Sequence, residues 1–397
     1  MNNNLLKCDF KCCGCGVCEE ICPKNAIELK ENYEGFLEFN IDNNKCINCG
    51  LCIKKCPQLN ELKKQEKNNN QRYYAAHIKD NKEILKSTSG GIFAIIAKKI
   101  ALNKKYSIFG CGFDENIIAK HMCINNIENL DKILGSKYVQ SDTRNIFSKV
   151  KEKLDNENKV LFSGTPCQVN ALYSYLGNIQ YDNLYTIDLI CHGVPSPLLF
   201  KKYLKWLEKK NKGKVNSYTF RSKDKKSWEL LCSYDINGKK YYKNDSVDPY
   251  YNSFIKGYTY RECCYECKYA NKNRIADITL GDFWGIEEEH PNLANNYGNS
   301  LIIVNTKKGQ ELFELIKENI KYEESNYEKA SKNNHNLKEP TIRNDIRNYV
   351  YKDIKEKDFK YIIEENLNFK VSFKNIIKSK IPNTIKKKIK NILKGKK

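Results

Sequence analysis

The chain has 397 residues, 69 basic against 48 acidic side chains, a net charge of +21 and 18 cysteines. That length supports two or three domains with a sizeable core. The most apolar stretch, Ile92 to Leu102, is short and interrupted by Lys98 and Lys99, which excludes a transmembrane span. Met1 to Phe10 lacks the basic start and apolar run of a secretory signal, so the expected compartment is the cytoplasm, where a disulfide framework is excluded.

The first element is a double cysteine run. Cys12, Cys15, Cys18 and Cys22 precede Pro23, and Cys46, Cys49, Cys52 and Cys56 precede Pro57. Each repeats the bacterial spacing C-x2-C-x2-C-x3-C-P, in which three close thiolates hold one 4Fe-4S cube and the fourth crosses to the other. The assignment is therefore Cys12, Cys15, Cys18 and Cys56 to one cluster, and Cys46, Cys49, Cys52 and Cys22 to the second. Short strands are expected at Ala26–Leu29 and Phe36–Phe39. Glu61 to Gln71, polar and rich in Lys and Asn, reads as a linker.

Beyond it the pattern changes to apolar runs alternating with helical periods. A strand is expected at Tyr73–Ile78, a helix from Gly91 to about Asn103, a hairpin from Tyr106 to Ile124 and a helix from about Thr143 to Leu154. Two strand-turn-helix units follow: Val160–Ser163 into Gly164-Thr165-Pro166-Cys167-Gln168 and a helix through Leu176, then Leu184–Ile190 into Cys191-His192-Gly193-Val194-Pro195 and a helix through Leu207. Each sets a cysteine where a strand ends and a helix begins, the edge at which ligands collect in open α/β sheets. Cys264 and Cys267 form another C-x2-C pair, which with Cys167 and Cys191 completes a four-thiolate site; spacing alone leaves zinc or an iron–sulfur cluster open. Cys8, Cys13, Cys111, Cys123, Cys232 and Cys263 fall outside these groups and are expected to be replaceable.

Four further features sit in the same region. Ser89-Gly90-Gly91 opens an apolar helix where backbone N–H groups could meet a phosphate. Gly135-Ser136-Lys137-Tyr138 offers a cation and a phenol, Asp277 to Gly285 ends a strand in a glycine-flanked aromatic turn containing Gly281 and Asp282, and His192 could donate a proton. In order, Ser89-Gly90-Gly91, Gly135-Ser136-Lys137-Tyr138-Val139-Gln140, Gly164-Thr165-Pro166-Cys167-Gln168, Cys191-His192-Gly193-Val194-Pro195 and Cys264-Tyr265-Glu266-Cys267 through Gly281-Asp282-Phe283-Trp284 resemble the beta subunits of coenzyme F-420-reducing hydrogenases and dehydrogenases, in a bacterial form with a fused two-cluster ferredoxin, over about Lys7 to Thr306.

The resemblance implies a third 4Fe-4S cluster on Cys167, Cys191, Cys264 and Cys267, and an FAD contacted by Ser89, Gly90, Gly91, Ser136, Lys137, Tyr138, Gly281 and Asp282. It implies hydride exchange between the flavin and a small-molecule substrate, with clusters handling single electrons. Electrons would come from or go to a redox partner protein or reduced ferredoxin, and related bacterial members sit among cell-surface polysaccharide genes. The bulky, acidic Gly281-Asp282-Phe283-Trp284-Gly285 turn departs from the deazaflavin-reducing pattern and argues against that substrate. A competing reading is a non-catalytic electron-transfer subunit that wires a partner to another enzyme.

The expected fold is α+β with an α/β core: a two-cluster ferredoxin domain (1–62), a linker (63–72), a mixed α/β flavin-binding domain in two parts (73–155 and 156–330) and a helical, Lys-rich tail (331–397). From Lys370 to Lys397 there are eleven lysines and no acid. Ile385, Ile389, Ile392 and Leu393 align on one helical face with Lys386, Lys387, Lys388, Lys390 and Lys394 around them, an arrangement suited to peripheral contact with an anionic membrane. The lysines do not interleave with aromatics, so nucleic acid is not an expected partner.

Overall fold

The computed structural model describes residues 11–60, 71–177, 179–372, 376 and 381. Within its first unit, the two cysteine runs each lead into a single helical turn, α1 (Val17–Glu20) and α2 (Leu51–Lys55), launched from Gly16 at φ 81° and Gly50 at φ 71°. These left-handed glycines turn the chain sharply between ligand cysteines, a conformation costly for any residue with a Cβ. Between them lie β1 (Ile27–Glu31) and β2 (Leu37–Ile41), paired antiparallel. The first strand starts one residue later than the apolar pattern predicts, because the Ala26 N–H donates to the Cys22 sulfur at 3.3 Å.

The body is an eight-stranded sheet that begins with β3 (Arg72–Ile78). After α3 (Asn81–Leu85) and α4 (Ile92–Ile100) come the hairpin β4 (Tyr106–Phe113) and β5 (Ala119–Ile124), then α5 (Ile146–Asp155). Two crossover units follow, β6 (Lys159–Gly164) with α6 (Pro166–Leu176) and β7 (Leu184–Leu189) with α7 (Pro197–Asn211). A small antiparallel sheet, β8 (Val215–Thr219), β9 (Leu231–Ile236) and β10 (Lys239–Asn244), is inserted before β11 (Ile278–Asp282), β12 (Ser300–Val304) and β13 (Ile320–Ser325) close the large sheet. Its order is β13-β3-β12-β11-β7-β6-β4-β5, with β4/β6, β6/β7 and β7/β11 parallel and the remaining pairs antiparallel.

Both faces of this sheet are covered, which is why its strands read as continuous apolar runs. Along β6, Leu161 points to a core built with Ile92, Ile96 and Ile100 of α4, whereas Val160 and Phe162 point to a core built with Phe147, Val150 and Leu172 of α5 and α6. A third, aromatic core joins α7 to the small sheet through Tyr203, Tyr218, Phe220, Tyr234 and Tyr250. Val350, Tyr351, Ile354, Phe359 and Ile362 pack into it, so part of the segment read as a lysine-rich tail belongs to the folded body. The tail helix at 385–394 and nearly all of the linker lie outside the described residues. No described helix is long and apolar enough to cross a membrane.

Candidate redox site

The two ferredoxin cysteine groups are arranged as crossed sets. Cys22, Cys46, Cys49 and Cys52 line one cavity of about 60 Å³, walled by Ile27, Ile41, Ile47, Leu51 and Ile53. A void lined by four thiols inside an apolar shell is the donor set a 4Fe-4S cube requires. Cys18 has Cys12, Cys56 and also Cys52 of the other group as electrostatic neighbours, and is held well above the ordinary thiol range by burial first and those thiols second. Burial likewise pushes Cys12 up to about 12. Such thiols would release their protons only on binding a metal, whose charge stabilises the thiolate. Among the described residues, no three His, Cys, Asp or Glu side chains converge on a single-ion point.

The ferredoxin unit is bolted to the body by residues that sequence reading passed over. Arg261, 4% exposed, donates to Cys12 O at 2.5 Å and Leu37 O at 2.8 Å and pairs with Glu38 at 3.2 Å. Gln140 accepts from Leu37 N at 3.0 Å, and Thr143 Oγ1 donates to Cys15 O at 2.9 Å. Thr143 is thereby occupied outside the helix, which starts at Ile146 rather than at Thr143. The Glu20 carboxylate accepts from Phe147 N and Ser148 N at 3.3 and 2.8 Å, capping α5 from the neighbouring unit. Arg347, from the segment beyond residue 331, forks onto Glu34 at 2.9 and 2.5 Å.

Three cysteines of the third group, Cys167, Cys191 and Cys267, come together at the carboxyl edge of the parallel strands, whereas Cys264 has Cys263 as its neighbour and packs against the aromatic core. Cys167 follows β6 at the start of α6, and Cys191 follows β7. Cys191 has Cys267 and Cys263 as neighbours, and burial pushes it up to about 12. Two cysteines outside the expected ligand spacing lie in this region: Cys263 is an electrostatic neighbour of Cys191 and Cys267, and Cys13 of Cys167 and Cys15. Thr165, the N-cap of α6, sets its hydroxyl 3.1 Å from the Cys167 sulfur and 3.0 Å from Gln168 Oε1. From there a buried chain continues through Gln168 Nε2 to Ser141 Oγ at 2.8 Å and on to His121 Nδ1 at 3.1 Å.

The residues singled out for flavin lie along the adjoining edge. Ile190 N bonds Leu280 O at 2.9 Å, so Cys191 and Asp282 leave neighbouring parallel strands side by side. Asp282 is forked by Arg221 at 2.6 and 3.3 Å and receives Trp228 Nε1 at 3.0 Å. Arg221 also donates to Tyr138 OH at 3.4 Å and stacks over Trp284, whose indole lies parallel to Trp228 at 5.0 Å. Lys223, 6% exposed, donates to Ser89 O and Ile84 O, and burial pulls it down to about 7. Ser136 N donates to Thr88 Oγ1 at 3.1 Å. Arg221 and Lys223 thus connect the Ser89, Tyr138 and Asp282 elements, and nothing in their spacing along the chain announced it. His192 is exposed, with Asp282, Arg221 and His335 as electrostatic neighbours.

Within this edge, some residues answer to neighbours inside the protein. A Cβ on Gly90 would meet Ala76 O at 2.5 Å and Ser300 N at 2.8 Å, one on Gly91 would meet Ile78 Cδ1 at 2.5 Å, and one on Gly281 would meet Ile190 Cδ1 at 2.5 Å. The Lys137 ammonium donates to Leu134 O and Gly135 O at 2.7 and 3.1 Å, and burial lowers its pKa.

Residues 157–330 match the family of the C-terminal part of the Coenzyme F420 hydrogenase/dehydrogenase beta chain. Over that segment the chain belongs to this family. Residues 11–60 match the 4Fe-4S dicluster domain, so the beta-chain segment is fused to a ferredoxin-like unit and the protein is of the iron–sulfur, electron-transferring oxidoreductase type. A solved chain of the F420-reducing NiFe hydrogenase complex from Methanosarcina barkeri is similar at 19% identity and TM-score 0.43, over 75% of this chain and 89% of that one. No curated protein matches the chain.

Proposed function

We infer that the protein is an iron–sulfur flavoprotein oxidoreductase in which the ferredoxin unit exchanges single electrons with a partner, and an FAD beside the third cysteine group exchanges hydride with an organic substrate. The observation that carries this reading is the shared edge: Cys167 and Cys191 follow β6 and β7 and Asp282 ends β11, three adjacent strands running parallel, at the position where α/β sheets hold ligands. Bound there, a flavin supplies the conversion between one- and two-electron chemistry. Arg221 orients Asp282 and offsets its charge, so Lys223, when protonated, leaves the edge positive, which favours an anionic cofactor or substrate group. His192, exposed with that pair among its electrostatic neighbours, is the proton carrier of this reading.

The partner face is the rim of the Cys22, Cys46, Cys49 and Cys52 cavity, where Cys49 is exposed and Ile47 is 57% exposed. Exposed Lys24 and Lys54 flank it, so an acidic one-electron carrier fits. Peripheral contact with an anionic membrane through the lysine-rich tail, and a link to polysaccharide synthesis, remain part of the proposal and rest on sequence.

The test is cofactor analysis of anaerobically purified, full-length protein. About twelve irons per chain and about one released FAD are expected for three 4Fe-4S clusters. About eight irons with one zinc would remove the third cluster, and absence of flavin after reconstitution would overturn the hydride chemistry.

A further inference from the structure

Asp188, near the end of β7 and three residues before Cys191, is a fully buried carboxylate whose two oxygens accept no hydrogen bond from the described residues. It shares a sheet face with Thr186, whose hydroxyl bonds Tyr173 of α6 at 2.6 Å, so its side chain lies on the side covered by the Cys167 helix. Its ion-pair partner is the buried Arg274 guanidinium, 3.3 Å away. Arg274 makes its hydrogen bonds elsewhere. Nη2 donates to Leu189 O at 2.8 Å, two residues before Cys191; Nη1 donates to Tyr269 O at 2.8 Å, two residues after Cys267; and Nε donates to Thr279 Oγ1 of β11 at 3.3 Å. One side chain thus ties the strand end that presents Cys191 to the loop that follows Cys267. Both of those cysteines have Arg274 as an electrostatic neighbour.

Positioning alone does not account for the pair. The three hydrogen bonds of Arg274 join the two backbones without Asp188, and a buried carboxylate that accepts no hydrogen bond is costly. What Asp188 contributes is charge, set against a guanidinium that is always protonated and here shielded from solvent. Net charge around an iron–sulfur centre is among the levers that set its potential: a nearby cation favours the reduced, more negative state, and a nearby carboxylate opposes it. We propose that Arg274 is a positioning residue that fixes the Cys191 and Cys267 segments to each other and holds the charge that raises the reduction potential of the third cysteine group's centre, with Asp188 as the counter-charge that limits the rise. Neither side chain is a ligand, and no bond is made or broken. The proposal rests on the reading that Cys167, Cys191, Cys264 and Cys267 hold a cluster.

The experiment compares wild type with Arg274→Gln, Arg274→Lys and Asp188→Asn, as full-length holoprotein, by iron content and by redox titration followed by electron paramagnetic resonance. Wild type must first contain about twelve irons; about eight would sink the third-cluster reading, and the proposal with it, before any variant is made. Given twelve, the third cluster's midpoint is expected to fall in Arg274→Gln and to rise in Asp188→Asn, while that of the cluster on Cys22, Cys46, Cys49 and Cys52 stays fixed. Opposite shifts from the two halves of one ion pair are a result that loosened packing would not produce. Arg274→Lys keeps the charge and loses the fork, so its midpoint should stay near that of wild type; a fall as large as in Arg274→Gln would assign the effect to hydrogen bonding and overturn the proposal. Asp188→Asn keeps the shape of the side chain and decides the matter where Arg274→Gln does not fold. An unchanged or lowered midpoint in Asp188→Asn, or its loss of about four irons, overturns the proposal equally.

Discussion

Arg261 Nε and the carbonyl of Cys12 meet at 2.5 Å across a sequence separation of 249 residues, joining the first cysteine run to the loop that carries Cys264 and Cys267. The same guanidinium satisfies Leu37 O and pairs with Glu38. Arg261→Met should therefore cost about 2–4 kcal/mol, since it strands two carbonyls and a carboxylate where the lost partner was buried. Urea denaturation of the holoprotein measures it, and cluster bleaching in air should quicken in parallel. Arg261→Lys should recover little, because an ammonium cannot span three acceptors as a fork does.

Gly90→Val is expected to destabilise the fold whether or not a cofactor is bound. The new side chain would begin 2.5 Å from Ala76 O and 2.8 Å from Ser300 N, and backbone on two strands cannot yield as a flexible side chain can. The cost should reach about 3 kcal/mol, read as a lowered thermal midpoint of apoprotein and holoprotein alike. Loss of flavin without any change in the apoprotein midpoint would show the crowding to be relieved.

Acid should weaken the fold through His121. Its ring, 8% exposed, bonds Ser141 Oγ and Ser163 O, and burial lowers its pKa from 6.5 to about 4. Between those two values the unfolded chain binds a proton that the folded chain refuses, so stability falls as pH drops below about 6.5 and the loss is complete near 4. From pH 7 to pH 5 the expected loss is about 2 kcal/mol. Denaturation midpoints at both pH values, for wild type and His121→Gln, isolate it: the variant should be flatter by that amount. Equal slopes would mean that His121 is already charged in the fold.

Local order was legible wherever chemistry is carried by neighbours in the chain. The ferredoxin runs could be read because a cubane needs thiolates at short fixed spacing, and the structure crosses Cys22 toward Cys46, Cys49 and Cys52 around one cavity. The hairpin Tyr106–Ile124 and the units after Val160 and Leu184 were legible for a similar reason: a strand buried on both faces is a continuous apolar run with turn residues at its ends. The apolar residues of 346–363 were not recognised as core, because short helices separated by polar turns carry no periodicity until the aromatic core they enter is assembled.

What the sequence by itself determined is the two-run ferredoxin unit and the strand-and-helix grammar, since both depend on spacing within a few residues. The tertiary structure alone decided which separated residues meet: Arg261 with Cys12, and Arg221 with Asp282 and Tyr138. Their contacts span from 61 to 249 residues where the hydrogen bonds are direct. At such separations no periodicity or local propensity constrains a pair; only the order in which strands enter the sheet brings the two ends to one edge.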